Sequence, residues 1–217
     1  MRTAILLTCL IALGARAADQ PLVILFGDSI RMNYQETVRA ELQEQAMVWS
    51  PKENGQHTVF TLGKLEEWLK GRDPQVVHIN VGLHDLFLGA KTGKPRHTLE
   101  TYAGNLQKIF ARLRELTDAR IIFALTTAVD EQRQATSKTY GRVVRRNPDV
   151  DRYNAKAREL ARKAGIEVND LNTFMKRHDP AKLLRDDGIH LTPAGSKIVG
   201  KEVAQVIRRQ LTGVAKP

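Results

Sequence analysis

The sequence predicts an α/β domain built as three layers, with a mostly parallel sheet of about five strands between two layers of helices. Three observations lead there. Apolar, β-branched runs at residues 22–26, 76–81 and 121–125 do not alternate with polar residues, as strands covered on both faces need not. Amphipathic helical patterns lie between these runs. Strand and helix also alternate along the whole chain, which implies parallel strands joined by right-handed crossovers.

Each element has its own justification. After the first strand, residues 30–45 read as a helix, 46–49 as a short strand and 59–70 as a second helix, leading into the strand at 76–81. Leu99, Ala103, Leu106, Phe110, Leu113 and Leu116 then recur at three- and four-residue steps, with Thr98 as N-cap. Beyond the strand at 121–125, Tyr153, Ala157, Leu160 and Ala164 repeat the pattern, and Gly165 suits a helix C-terminus. Residues 166–168 give a short last strand. Thr192 caps a final helix with Pro193 at its first position, and Val199, Val203, Val206 and Ile207 share one face. His78 falls inside an apolar strand and reads as a core histidine, and Trp49, Phe60 and Trp68 read as core aromatics. The longest polar connections, 91–96 and 131–148, are candidates for the rim of a site.

The chain has 217 residues, 42% hydrophobic and 27% charged, enough for one domain with a full core. That composition excludes disordered, collagenous and coiled-coil classes. One cysteine, Cys9, excludes a disulfide scaffold and a cysteine-rich zinc site. Residues 1–17 read as a secretory signal: Arg2, an apolar stretch at 4–13, then Ala15-Arg16-Ala17 as the small-x-small cleavage pattern. The stretch is too short to span a bilayer. The expectation is therefore an exported protein, periplasmic or extracellular, with residues 18–217 forming a single domain. Removing the signal takes away Arg2 and Arg16 and no acidic residue, so the net charge of +10 becomes +8. Such a charge suits loose association with an anionic envelope surface and equally suits simple solubility. The densest basic run, Arg142, Arg145 and Arg146, lacks aromatic interleaving, and no nucleic-acid motif appears. His57, His78, His97 and His178 lack metal-ligand spacing. Residues 89–94 lack the spacing of a phosphate loop, and Pro95 stands where that loop needs Ser or Thr.

The chemistry-bearing residues sit at the two ends of the chain. The first strand runs straight into Gly27-Asp28-Ser29, at the sheet edge where α/β ligands bind. The helix that follows offers free N–H groups and a field favouring negative charge, good placement for a nucleophile whose reaction builds an oxyanion. The spacing is not the G-x-S-x-G elbow. Near the other end, Asp187-Gly188-Ile189-His190 precedes the capped last helix. His190 could take the Ser29 proton, and Asp187 could hold its tautomer and stabilise its charged form. Singly, Asp28 and Ser29 read as helix caps, and Asp187 and His190 as residues of a pre-helix loop. Together they make a triad in the order Ser, Asp, His.

Gly27-Asp28-Ser29-Ile30 and Asp187-x-x-His190 resemble the SGNH/GDSL hydrolases, a family of esterases and lipases. The resemblance spans residues 22–211. It implies the flavodoxin-like SGNH fold with strand order 2-1-3-4-5, a serine nucleophile, and neither metal nor organic cofactor. It also implies an oxyanion hole formed by the N–H groups of Ser29 and a second-block glycine, matched by Gly55 after Asn54, and by a third-block asparagine. Here that block reads Gly82-Leu83-His84-Asp85, a variant with His84 in the asparagine's place. A neutral imidazole can donate one N–H and a charged one donates more strongly, so His84 either replaces the asparagine or leaves a weakened hole. Asp85 is expected to be a structural acceptor, and residues 126–129 to line the cleft wall or to serve packing only. The activity implied is hydrolysis of carboxylic esters through an acyl-enzyme. Export and compact size favour short acyl groups, such as acetyl, on carbohydrate. Lysophospholipid or other lipid esters are the second reading, and a non-catalytic binder of anionic envelope polymer is the third.

Overall fold

A computed structural model describes residues 20–212; the expected export signal at 1–17 lies outside the described residues. Five strands form one parallel sheet: β1 (Leu22–Gly27), β2 (Met47–Trp49), β3 (Val76–Asn80), β4 (Arg120–Ala124) and β5 (Glu167–Asn169), in the order β2-β1-β3-β4-β5. β1 pairs with β2 through Leu22 opposite Met47 and with β3 through Val23 opposite Val76. The chain winds outward from β1 in one direction to β2 and in the other to β3, so the carboxyl ends of β1 and β3 form a topological switch point. Every residue of β3, and all of β1 after Leu22, is buried, which explains why apolar residues do not alternate with polar ones along them.

Eight helices cover the sheet: α1 (Ser29–Leu42), α2 (Thr58–Leu69), α3 (Leu99–Leu116), α4 (Glu131–Thr136), α5 (Asn147–Lys163), α6 (Leu171–Lys176), α7 (Pro180–Leu183) and α8 (Pro193–Leu211). α1 packs on α8, while α2, α3 and α5 form a row in contact with one another. The expected caps are in place: Thr98 accepts from Thr101 N–H and Thr192 from Gly195 N–H, and Gly165 has φ +63° just beyond α5. Val199, Val203, Val206 and Ile207 are buried on α8. Trp68 stacks on Phe26 with ring centroids 5.2 Å apart, while Trp49 and Phe60 are half-buried against the same core. Among the described residues, no helix is long and apolar enough to cross a membrane.

The structure departs from the sequence reading in three short helices. α4 lies inside the 131–148 connection, and α6 and α7 follow β5. Each has six residues or fewer, too few for an apolar period to register. What defines them is the aspartate before each: Asp130, Asp170 and Asp179 accept N–H bonds from the first turn. α5 also begins at Asn147, one residue before the proline expected to close the connection, because proline fits the first turn of a helix.

Candidate active site

β1 delivers Asp28 and Ser29 at the switch point. Asp28 is the N-cap of α1, its Oδ1 accepting the Ile30 N–H at 2.9 Å, which turns the chain sharply and sets Ser29 at the first helical position. The other half of the triad sits between α7 and α8. An isolated antiparallel bridge, Leu184 with Leu191, pinches this loop. Gly188 has φ +71°, and a Cβ there would lie 2.3 Å from the Asp130 carbonyl oxygen, so only glycine fits. Asp187 Oδ1 then accepts the N–H groups of Ile189 and His190 at 2.9 Å each. Its Oδ2 lies 2.7 Å from His190 Nδ1, and His190 Nε2 lies 3.0 Å from Ser29 Oγ. Leu191 N–H donates to Asn33 Oδ1 at 3.0 Å, tying the histidine loop to the helix that carries the serine.

The protonation states follow from these bonds. Partial burial pushes the Asp187 carboxyl up, but hydrogen bonds from the His190 ring and from the His190 and Ile189 backbone outweigh it and hold the group below its ordinary value. An ionised Asp187 accepts from Nδ1–H, leaving Nε2 free to accept the Ser29 hydroxyl proton. Asp28 is different. It is buried, its Oδ2 has no partner, and burial raises it to about 6, against the opposing pull of the Ile30 N–H and of Arg145, His190 and Arg31.

The three expected oxyanion donors fare unequally. As the first residue of α1, Ser29 has an N–H with no intrahelical acceptor. His84 is half-buried in the turn after β3, where Asp85 N–H donates to the Gly82 carbonyl at 2.9 Å. Burial, followed by the charges of Arg145, Arg96, His57 and His190, lowers His84 to about 4. The ring is neutral near pH 7 and keeps one N–H. Gly55 requires a correction. Its N–H donates to the Gly27 carbonyl at 2.9 Å, so it is engaged at the end of β1 and not free for an oxyanion. Close approach explains the glycine itself, since a Cβ there would lie 2.7 Å from that carbonyl oxygen. Within residues 126–129, the first two take the packing role. Thr126 and Thr127 are buried, with hydroxyls that have no partner, so they pack behind the third-block turn instead of lining an open wall.

Sequence reasoning missed the framework beneath the triad. Arg31 is fully buried. Its guanidinium donates to the carbonyls of Gly27 at 3.2 Å, Pro51 at 3.0 Å and Glu53 at 2.7 Å, joining β1 to the segment before Gly55. Asp85 is the buried acceptor that was expected: it takes Thr58 N–H at 3.0 Å and the Thr58 hydroxyl at 2.5 Å, and lies 2.7 Å from His97 Nδ1. His57 caps α2 through Nδ1, and its ring stands edge-on to that of His97 at 4.8 Å. Asp85 thus clamps the third-block turn to the start of α2. The only sequence signal for Arg31 is a charged residue on what periodicity makes the inner face of α1. His78 is the core histidine anticipated, with Nε2 3.2 Å from Asn169 Nδ2. Among the described residues, no cluster of three or more His, Cys, Asp or Glu could hold a metal ion.

Known proteins place this geometry in context. Residues 25–198 match the GDSL-like Lipase/Acylhydrolase family. The GDSL esterase/lipase CPRD49 of Arabidopsis thaliana is 36% identical over 140 residues, covering 62% of this chain and 55% of that protein. The human isoamyl acetate-hydrolyzing esterase 1 homolog is 25% identical over 209 residues, covering 89% of this chain and 84% of that protein. The chain spans about half the length of the plant relatives it matches. Among solved structures, the lipase/acylhydrolase from Enterococcus faecalis superposes with a TM-score of 0.72 at 20% identity, covering 88% of this chain and 97% of that one. The acetyl xylan esterase AlAXEase does so with a TM-score of 0.68 at 18% identity, covering 86% and 99%. These two likenesses establish the fold, and the span matched by the family includes Ser29, Asp187 and His190. The chain belongs to the GDSL-like lipase/acylhydrolase family.

Proposed function

We propose that this chain is an exported serine esterase that hydrolyses short-chain acyl esters, such as acetyl, on carbohydrate. The observation that carries the chemistry is the 3.0 Å approach of His190 Nε2 to Ser29 Oγ, with Asp187 behind the ring at 2.7 Å. Ser29 Oγ attacks the acyl carbonyl while its proton passes to His190 Nε2. The tetrahedral intermediate then expels the alcohol, which takes that proton. Water attacks the acyl-enzyme with His190 again as base, and the acid leaves. The oxyanion is held by the Ser29 N–H and the neutral His84 ring; Gly55 N–H would have to leave the Gly27 carbonyl to join them. No metal or organic cofactor takes part in these steps.

Support for the carbohydrate ester comes from the shared fold of AlAXEase, named as an acetyl xylan esterase. Export rests on the pattern of residues 1–17. Lipid esters are the second reading, favoured by the lipase names among the relatives. The non-catalytic binder is disfavoured by the assembled triad. The test is turnover of p-nitrophenyl acetate together with covalent labelling by a fluorophosphonate. Wild type should turn over and label once, and Ser29→Ala should do neither while folding normally. Equal rates for the two proteins, or labelling at another serine, would remove the assignment. Cleavage of a lysolipid beside inert sugar acetates would reverse the order of substrates.

A further inference from the structure

The two polar connections that flank the site converge on one aromatic ring. Leu88 N–H donates to the Val144 carbonyl at 2.8 Å, and Arg96 N–H donates to the Phe87 carbonyl at 3.0 Å. Phe87 is thereby held between the segments, with three guanidinium groups about its ring: Arg145 at 5.0 Å, Arg142 at 5.7 Å and Arg96 at 5.8 Å from the centroid. Among the described residues, none of the three makes an ion pair with a carboxylate. Arg142 donates to the Leu88 carbonyl at 2.9 Å and Arg145 Nε to the Leu83 carbonyl at 2.7 Å. Arg145 is buried, and its Nη1 has no partner.

Such an arrangement is costly for a structural purpose alone. Three like charges share one ring, and cation–π attraction offsets only part of their repulsion and desolvation. The cluster also adjoins the reaction centre. Leu83, which Arg145 holds, immediately precedes His84, and the charges of Arg145 and Arg96 are both felt at the His84 ring. A substrate whose acyl group lies against Ser29 and His84 would extend its alcohol part toward these arginines.

We propose that Arg96, Arg142 and Arg145 form an anion subsite that selects esters whose alcohol part is an acidic sugar, with a carboxylate on or next to the acylated ring. The planar forks match a carboxylate, and the anion adds countercharge for Arg96 and Arg142, whereas Arg145 already feels the Asp28 carboxyl. This deepens the carbohydrate-ester reading and rests on it. The local cluster, not the overall positive charge, is what distinguishes one anionic substrate from another.

The experiment compares kcat/KM for an O-acetylated methyl hexuronoside with that for its neutral hexuronamide, and adds acetyl glycerophosphate as a third ester. The carboxylate substrate should be preferred by about tenfold or more at low ionic strength, with the preference shrinking as salt rises. In Arg96→Gln with Arg142→Gln, the ratio should fall toward one. Equal rates for acid and amide would overturn the subsite. So would a preference that survives both substitutions, or a uniform loss on both sugars. A preference for the phosphate ester alone would overturn the carboxylate assignment. Calorimetric binding of the deacetylated hexuronoside to Ser29→Ala separates this proposal from the esterase reading. Binding that disappears with the arginines upholds the subsite even without turnover. No binding to Ser29→Ala, beside full p-nitrophenyl acetate activity of the wild type, sinks the subsite and leaves the esterase standing.

Discussion

His78 gives the domain a calculable sensitivity to acid. It is fully buried in β3, and burial pushes its ring down from 6.5 to about 3. With the Asn169 amide donating to Nε2, the proton sits on Nδ1, which has no partner. Between about pH 7 and pH 5 the unfolded chain's imidazole gains most of a proton while the buried one gains none. The unfolded state binds more protons in that window, so stability falls as pH falls. Integrated over those two units, the loss is about 2 kcal/mol. His84, lowered to about 4, acts in the same direction. Asp28 acts oppositely: raised to about 6, it takes up a proton when folded that the unfolded carboxyl does not yet take, so it stabilises the fold on acidification. The wild-type slope sums these with every other shifted group, among them His57, which burial also lowers. His78→Gln isolates one contribution, since glutamine offers Asn169 an acceptor without titrating. Urea unfolding at both pH values should show wild type losing about 2 kcal/mol more than the variant. Equal losses would mean that His78 is protonated in the fold, and the argument from burial would fail.

Two predictions bear on the chemistry. Asp187→Asn should lower kcat on p-nitrophenyl acetate by about 10³- to 10⁴-fold with little change in KM, because the amide no longer fixes the His190 tautomer; full retention would show that Asp187 serves only the loop. His84→Ala should cost about 10²- to 10³-fold in kcat and His84→Asn much less, with the acid side of the pH profile unmoved by the asparagine, since His84 already titrates only near 4. An alanine variant of wild-type rate would remove the ring from the oxyanion hole.

The strands and the triad were legible because each depends on contiguous residues. The runs are apolar throughout β1, in β3 but for His78 and Asn80, and in β4 after Arg120, and Asp28-Ser29 and Asp187-x-x-His190 are compact motifs whose turns rest on their own caps and glycine. The donors were less legible. That Gly55 gives its N–H to Gly27 depends on how two distant segments meet. Arg145 looks like an ordinary surface arginine in the sequence, and Arg31 is marked only by its place on the inner face of α1, yet both are buried. The Asp85–His97 contact joins residues twelve apart across a turn and an irregular segment, where no period exists to read. The short helices went unseen because their definition lies in capping aspartates that loops use equally well.

The contact between α1 and α8 has a further consequence. Gly200 sits so close to Thr37 that a Cβ there would come within 2.5 Å of the threonine's own. Two segments from opposite ends of the sequence are thus clasped, one holding Ser29 and the other following His190. Peeling the terminal segment away would separate hydroxyl from imidazole while most of the sheet stayed intact. Reactivity therefore reports the closure of the polypeptide upon itself, and heat or denaturant should silence it before the interior melts.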